Sequence, residues 1–215
     1  MTLSPAIDSG ARALGLALPA GGADRLAALI ELLAKWNKTF NLTAIRDPAR
    51  MVTHHVLDSL ALLTGVALAR GARLVDVGCG AGLPGLPLAI ARPDLDVTLL
   101  DSNGKKIAFV RQAIGELGLA NATAVAARIE AYAPPARFDA VVSRAFSDLA
   151  SFAAAGRRLL APGGVLVAMK GALPVDELAV LPVGIGVVAT PAIVVPGVEG
   201  ARHLVVMNEA GEAGG

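Results

Sequence analysis

Two rhythms of apolar residues alternate along the chain from residue 73 onward. Short continuous runs such as Leu74-Val75 with Val77 and Val97 with Leu99-Leu100 are bounded by Asp, Gly, Pro or Asn, as buried strands are. Longer stretches between them carry apolar residues at helical spacing. The alternation predicts strands near 73–77, 96–101, 122–126, 139–143 and 164–169, with helices near 85–92, 103–117, 147–160 and 174–180. Strands alternating with helices make a parallel sheet covered by helices on both faces. Two final strands, about 184–195 and 202–208, are separated by only Pro196-Gly197-Val198-Glu199-Gly200-Ala201, too short for a helical crossover, so they pair antiparallel.

The first third reads differently. Residues 1–22 form a loose lead-in with room for one short helix. Leu26, Leu29, Ile30, Leu33 and Trp36 then recur at helical spacing, after Asp24 as a cap, and give an amphipathic helix from Arg25 to Lys38 with a basic end. Turn-forming residues from Asn37 to Thr43 interrupt the pattern, and Asp47-Pro48 opens a second helix running to about Leu63. On it His54 and Asp58 are i,i+4 neighbours. They suggest a structural pair, or a histidine turned toward RNA or a cofactor. Adjacent His54 and His55 point about 100° apart on a helix, which argues against a metal site. The expected organisation is a helical extension over 1–66 packed on a core over 67–208, with 209–215 as a disordered tail and a single domain overall.

Composition changes this picture in three places. Hydrophobic residues are 54% of the chain and aromatics 3%, so the core must be aliphatic and tightly packed. No apolar stretch reaches the ~20 residues of a membrane span, so a cytoplasmic protein is expected, with a monomer as the default state. Cys79 is the only cysteine, which removes internal disulfides and cysteine cages for zinc. A net charge of +1 neither demands nor excludes a nucleic-acid partner.

The chemistry gathers on Leu74-Val75-Asp76-Val77-Gly78-Cys79-Gly80-Ala81-Gly82-Leu83-Pro84-Gly85, an apolar run, an acid at its carboxyl end and a glycine cluster leading into a helix. Such glycines cost about 0.5–1 kcal/mol each in regular structure, so a reason is needed. Close approach of backbone to a ligand, with free amides at a helix start, would supply it; a tight turn with nothing bound is the plainer alternative. Read from Gly80, the loop satisfies GxGxxG with Asp101 about 20 residues on, as a dinucleotide site would. Read from Asp76, it is Asp-x-Gly-x-Gly-x-Gly, which resembles the Rossmann-like S-adenosylmethionine-dependent methyltransferases. The antiparallel ending favours the second, because plain dinucleotide folds carry six parallel strands. A nicotinamide-dependent oxidoreductase is the alternative enzyme, and a ribosome-binding factor without catalysis a further one.

Ligands of a doubly wound sheet lie beyond the carboxyl ends of its strands. Asp101 ends the second strand, where its carboxylate suits both hydroxyls of an adenosine ribose or, more plainly, caps the helix after it. The loop Ala127-Arg128-Ile129-Glu130 follows the third, Ser143-Arg144-Ala145-Phe146 the fourth and Lys170-Gly171 the fifth. An arginine at that mouth can bind a phosphate bidentately or stack on a base. Absences narrow the reaction. The fourth strand lacks the Asn/Asp-Pro-Pro-aromatic stretch of exocyclic-amine methylation, and Cys79 lies in the wrong place to attack a pyrimidine. Asp139 precedes its strand, where it cannot deprotonate a ribose hydroxyl. An acceptor with a ready lone pair remains, and guanine N7 is one.

Several stretches in order resemble the bacterial 16S rRNA guanine-N7 methyltransferases, the small-subunit family also called glucose-inhibited division protein B. They are Lys35-Trp36-Asn37-Lys38 with Asn41-Leu42-Thr43, His54 through Leu57-Asp58-Ser59, and Asp76 through Gly82 with Pro84-Gly85 and Pro87. Asp101-Ser102 with Lys105-Lys106, Ser143-Arg144-Ala145, Leu166 to Gly171 and Arg202 to Val206 follow. The resemblance runs from about Leu32 to Met207. It implies a Rossmann-like class I fold, a seven-stranded, mostly parallel sheet ending in an antiparallel hairpin. It implies S-adenosylmethionine contacts at Gly78, Leu83, Ile129, Glu130 and Arg144, to which the strand-end reading adds Gly80 and Asp101. The implied partner is 16S rRNA in the small ribosomal subunit or an assembly intermediate. Cys79 stands where the family more often has Ser or Thr. Arg144 and Lys170 are candidates to position the base, with Lys35, Lys38, Arg46, Arg50, His54, Lys105 and Arg128 as the RNA-binding rim.

Overall fold

The computed structural model describes residues 3–144 and 146–210. In chain order the elements are α1 (Ser4–Ala13), α2 (Gly22–Phe40), α3 (Pro48–Met51), a π-helical stretch (Val52–Leu57), α4 (Asp58–Leu60), α5 (Leu62–Gly65) and β1 (Arg73–Val77). They continue as α6 (Gly85–Ala91), β2 (Asp96–Asp101), α7 (Gly104–Glu116), β3 (Ala122–Ala126), β4 (Phe138–Ser143) and α8 (Leu149–Gly156). Last come β5 (Leu160–Lys170), α9 (Val175–Leu178), β6 (Ile185–Ala189) and β7 (His203–Glu209).

The strands form one sheet in the order β3-β2-β1-β4-β5-β7-β6. The first five are parallel, while β7 runs antiparallel to both β5 and β6. This is the seven-stranded sheet expected from the alternation. The chain leaves β1 outward through β2 and β3, then returns to lay β4 on the other side of β1, so the switch point lies at the carboxyl ends of β1 and β4.

Period-two alternation divides the core between two faces. Leu74, Leu99, Val142, Val167 and Leu204 join a cluster with residues of α1, α2, the π-helical stretch, α6 and α7. Val75, Leu100, Val141, Leu166 and Val205 point the other way, onto Leu149, Phe152 and Ala153 of α8. The amino-terminal helices therefore share one apolar core with α6 and α7. Trp36 packs its ring 5.6 Å from that of Phe109 on α7, fixing the end of α2 against the sheet's helical layer.

Several predicted boundaries move, each for a local reason. The lead-in holds α1, with Ile7 and Ala11 fully buried. Gly21, not Asp24, is the N-cap of α2, its φ of 70° making the turn that only glycine takes easily. The helix expected over 48–63 is broken by the π-helical stretch. The helix expected over 147–160 ends at Gly156, and β5 begins at Leu160, so Ala161-Pro162-Gly163-Gly164 lies within the strand instead of before it. The strand expected over 184–195 stops at Ala189, leaving β6 as a short edge with Val187 and Val188 exposed. Glu209 belongs to β7 and not to the expected tail; residues 211–215 lie outside those described.

Candidate active site

The glycine loop is shaped by two carboxylates. Asp76, fully buried at the end of β1, accepts a hydrogen bond from the Gly85 amide at 2.8 Å through Oδ2. Asp101, buried at the end of β2, accepts from the Gly80 amide at 2.8 Å through Oδ2 and from the Asn103 amide at 2.8 Å through Oδ1. Gly78, Gly80 and Gly82 all have positive φ, at 68°, 56° and 75°. A Cβ on Gly85 would stand 2.9 Å from Asp76 Oδ2 and from a Leu99 methyl, so glycine there is required by contact with the acid.

Four more loop amides are bonded within the protein as well. Gly78 and Cys79 donate to the Leu100 carbonyl at 2.8 and 3.1 Å, Gly82 and Leu83 to the Cys79 carbonyl at 2.8 and 2.9 Å. The free amides expected at the helix start are thus bonded to Asp76 and to carbonyls. The helix after Asp101 is capped by Asn103, whose Oδ1 accepts from the amides of Lys105 and Lys106. Asp101 is therefore an anchor of the loop and not the cap.

A cavity of about 490 Å³ opens beside this loop, lined by Val77, Gly78, Leu100, Asp101, Ser102, Ala127, Arg128, Ile129, Glu130 and Phe146. Of the residues anticipated for a cofactor it unites Gly78, Asp101, Ile129 and Glu130, and it adds Arg128 from the anticipated RNA rim. Leu83 is buried behind the loop and Gly80 serves it through the bond to Asp101. Among the described residues, Asp76 Oδ1 is buried without a hydrogen-bond partner. Burial pushes the Asp76 carboxyl up to about 7, against the Gly85 amide and the Arg144 charge that favour its ionised form.

Arg144 and Lys170 open into a different cavity, of about 430 Å³, with Asp58, Arg202 and His203 among its polar walls and Met169, Ile193, Val195 and Leu204 among its apolar ones. Arg144 Nη1 donates to Asp58 Oδ2 at 3.2 Å and to the His54 carbonyl at 3.1 Å. Arg202 Nε donates to Asp58 Oδ1 at 3.2 Å. The His54–Asp58 pair expected on helical spacing gives way to this arrangement, and the His54 ring contacts Thr53 Oγ1 at 2.7 Å. Lys170 Nζ sits 2.8 Å from Glu177 Oε2. Ser143 Oγ donates to the Val77 carbonyl at 2.8 Å, tying the ends of β4 and β1 between the two cavities.

Asn37, Thr43 and His55, from stretches singled out in the sequence, do structural work. Asn37 clasps Thr43 through both ends of its amide, Nδ2 to the Thr43 carbonyl and Oδ1 from the Thr43 amide, each at 2.9 Å. His55 Nδ1 donates to the His54 carbonyl, so Nε2 is free to accept from the Thr43 hydroxyl at 2.8 Å. Burial, with the Arg144 charge next, lowers the His55 pKa to about 4. Lys35, Lys38, Arg46, Arg50, Lys105 and Arg128 are exposed; His54 is half-buried. Sequence reasoning missed Asp58 as the acceptor of two arginines, and it missed Lys106, whose Nζ lies 4.0 Å from where a Cβ on Gly80 would be. The signal for Asp58 was present in two separate stretches, one holding Asp58 and the other Arg202.

The family model of rRNA small subunit methyltransferase G, GidB, matches residues 23–205. The chain belongs to that family. A GidB-family relative from Chromobacterium violaceum, named ribosomal RNA small subunit methyltransferase G, is 50% identical over 208 residues, covering 96% of this chain and 99% of that protein. One of the same name from Alkalilimnicola ehrlichii is 51% identical over 202 residues, covering 94% and 90%. In fold the GidB chain is similar to TrmN from Thermus thermophilus, with a TM-score of 0.59, 19% identity and coverage of 81% of this chain and 53% of that one. A SAM-dependent methyltransferase from Aquifex aeolicus gives 0.57, 19%, 78% and 96%. As a GidB-family member the chain is a methyltransferase of the Rossmann-like class, with S-adenosylmethionine as its methyl donor.

Proposed function

We propose that this enzyme transfers the methyl group of S-adenosylmethionine to N7 of a guanine in 16S rRNA of the small ribosomal subunit. The observation that supports the reading most is the chemistry of the glycine loop. A dinucleotide pyrophosphate needs free amides, and here those of Gly78, Gly80, Gly82 and Gly85 are already bonded. Two carboxylates, Asp101 and Glu130, line the cavity with one arginine, Arg128, and Asp76 stands behind it with an oxygen unpartnered among the described residues. That surrounding suits a ligand bearing a positive centre, and Leu100, Ile129 and Phe146 offer apolar surface to a purine ring.

S-adenosylmethionine supplies a methyl carbon on a sulfonium, open to direct attack by a ring nitrogen. Gly78, Gly80, Leu83, Asp101, Ile129 and Glu130 hold the donor. Arg144 and Lys170 orient the acceptor base at the switch point, and Lys35, Lys38, Arg46, Arg50, His54, Lys105 and Arg128 meet the RNA. Guanine N7 carries no proton to remove, so the residues contribute orientation and not proton transfer. His55 fits that reading, being held neutral and bonded to Thr43. The enzyme works on subunits or their assembly intermediates in the cytoplasm, as a monomer. No helix among the described residues is long and apolar enough to cross a membrane.

The test is transfer of labelled methyl from S-adenosylmethionine to small subunits from a strain lacking this protein, with the product nucleoside read by mass spectrometry. A single 7-methylguanosine is expected. Another methylated nucleoside, or no transfer to subunits and intermediates with the donor still bound, overturns the acceptor; absence of donor binding overturns the loop assignment.

A further inference from the structure

Asp58, Arg144 and Arg202 come from three distant parts of the chain, separated by 86 and 144 residues along it. Asp58 closes the π-helical stretch, Arg144 follows β4 and Arg202 immediately precedes β7. The carboxylate is buried, and each of its oxygens accepts from one guanidinium, at 3.2 Å in both cases. Neither contact is bidentate, and although Arg202 Nη1 also donates to the Ala201 carbonyl at 2.9 Å, both arginines line the cavity with N–H donors left over. The His54 carbonyl takes a second bond from the same Arg144 nitrogen, which pins that guanidinium from two sides.

From this geometry we infer that Asp58 is a positioning residue for methyl transfer, holding Arg144 and Arg202 as a two-armed clamp beside the switch point. The inference rests on the proposed methyl-transfer reading. One carboxylate fixes both arms, so their spacing is set before RNA arrives and little ordering remains to be done in the complex. Met169, Ile193, Val195 and Leu204 line the same cavity as the two arginines, a setting for a nucleotide with an apolar ring face and polar edges. An asparagine at 58 could accept from only one arginine and would turn an N–H₂ toward the other.

The test is steady-state methyl transfer to small-subunit RNA by Asp58→Asn, Asp58→Glu, Arg144→Gln and the Asp58→Asn/Arg144→Gln double variant. Thermal melts and donor Kd are measured beside it. Asp58→Asn should lower kcat at least tenfold while donor Kd stays within about threefold. Asp58→Glu should recover part of the loss, and the double variant should lose less than the two single losses combined, because only the Arg202 arm is left for Asp58 to hold. Wild-type kcat in a folded Asp58→Asn, or additive losses in the double variant, would overturn the clamp. If Asp58→Asn does not fold, Asp58→Glu decides, with a lowered kcat at unchanged Kd expected and a wild-type kcat overturning it. Lack of transfer by the wild-type protein counts against the methyl-transfer reading itself, a result separable from any variant's.

Discussion

The two cavities on either side of the β1–β4 junction are built on opposite plans. The one beside the glycine loop rests on a loop built from backbone, whose shape comes from positive φ at three glycines and from amides tied to Asp76, Asp101 and the Leu100 carbonyl. The one beside Arg144 is made of long charged side chains holding one another, Asp58 with two arginines and Lys170 with Glu177. A backbone-built pocket is rigid and local, so it suits a small donor of fixed shape. A pocket of cross-braced charges holds its cationic arms at a set spacing, which suits a large polyanion with many acceptors.

The largest expected effect separates these plans by pH. Asp76 belongs to the first cavity, and its folded pKa of about 7 lies above the unfolded 3.8. Between those values the folded chain holds a proton that the unfolded chain has lost, so stability falls as pH rises, by roughly 4 kcal/mol in all. The groups acting on it are the Gly85 amide, Arg144 and Asp101. His55 is buried within the field of Arg144 and Asp58, which line the second, and its folded pKa of about 4 lies below 6.5. There the unfolded chain binds the extra proton, so stability rises with pH across that window by roughly 3 kcal/mol. Arg144 and His54 oppose its charge and Asp58 favours it. The two slopes offset one another in the wild-type protein. Urea midpoints from pH 4 to 7.5 should therefore show Asp76→Asn gaining stability with rising pH and His55→Gln losing it. Flat profiles in both variants would sink the assignment.

A smaller effect asks whether the cavities are independent. Asp101→Ala releases the Gly80 and Asn103 amides at once, and each loss of a charged-acceptor bond is worth about 1.5–3 kcal/mol. Donor affinity by calorimetry should fall at least tenfold, while RNA affinity stays within twofold. Equal losses in both would mean that one cavity cannot be loosened without the other.

The smallest effects lie on the rim. Removing the charge of Lys35, Lys38, Lys105 or Arg128 singly should weaken RNA binding a few-fold and lower the salt slope by about one, with donor Kd unchanged. If the slope does not move, the RNA approaches from another side.

The same contrast explains what could be read from the chain alone. The sheet, its antiparallel ending and the glycine loop were legible because each rests on local rules: period-two runs, a connection too short for a crossover, glycine where φ is positive. Gly78, Asp101, Ile129 and Glu130 come together in the structure because strand ends of a doubly wound sheet must converge. Asp58 was misassigned to His54 because spacing on one helix reports only neighbours in sequence, whereas its partners lie far along the chain. The fate of the loop amides was likewise hidden, since a glycine motif shows that backbone comes close to something without showing whether an internal carboxylate has already claimed it. The β5 boundary moved because pairing with β4 overrode the turn signal at Pro162-Gly163-Gly164, whereas β6 stops at Ala189, just ahead of Pro191.

The π-helical stretch is, in accounting terms, one residue of surplus in a helix whose two ends are anchored independently. Met51 and Val52 are buried in the core at one end, Asp58 between its arginines at the other. Winding the same residues as ordinary α-helix would turn one end by about 100° relative to the other. Either the apolar anchor or the carboxylate would then face the wrong way, so it is the widened turn that lets both anchors hold at this length.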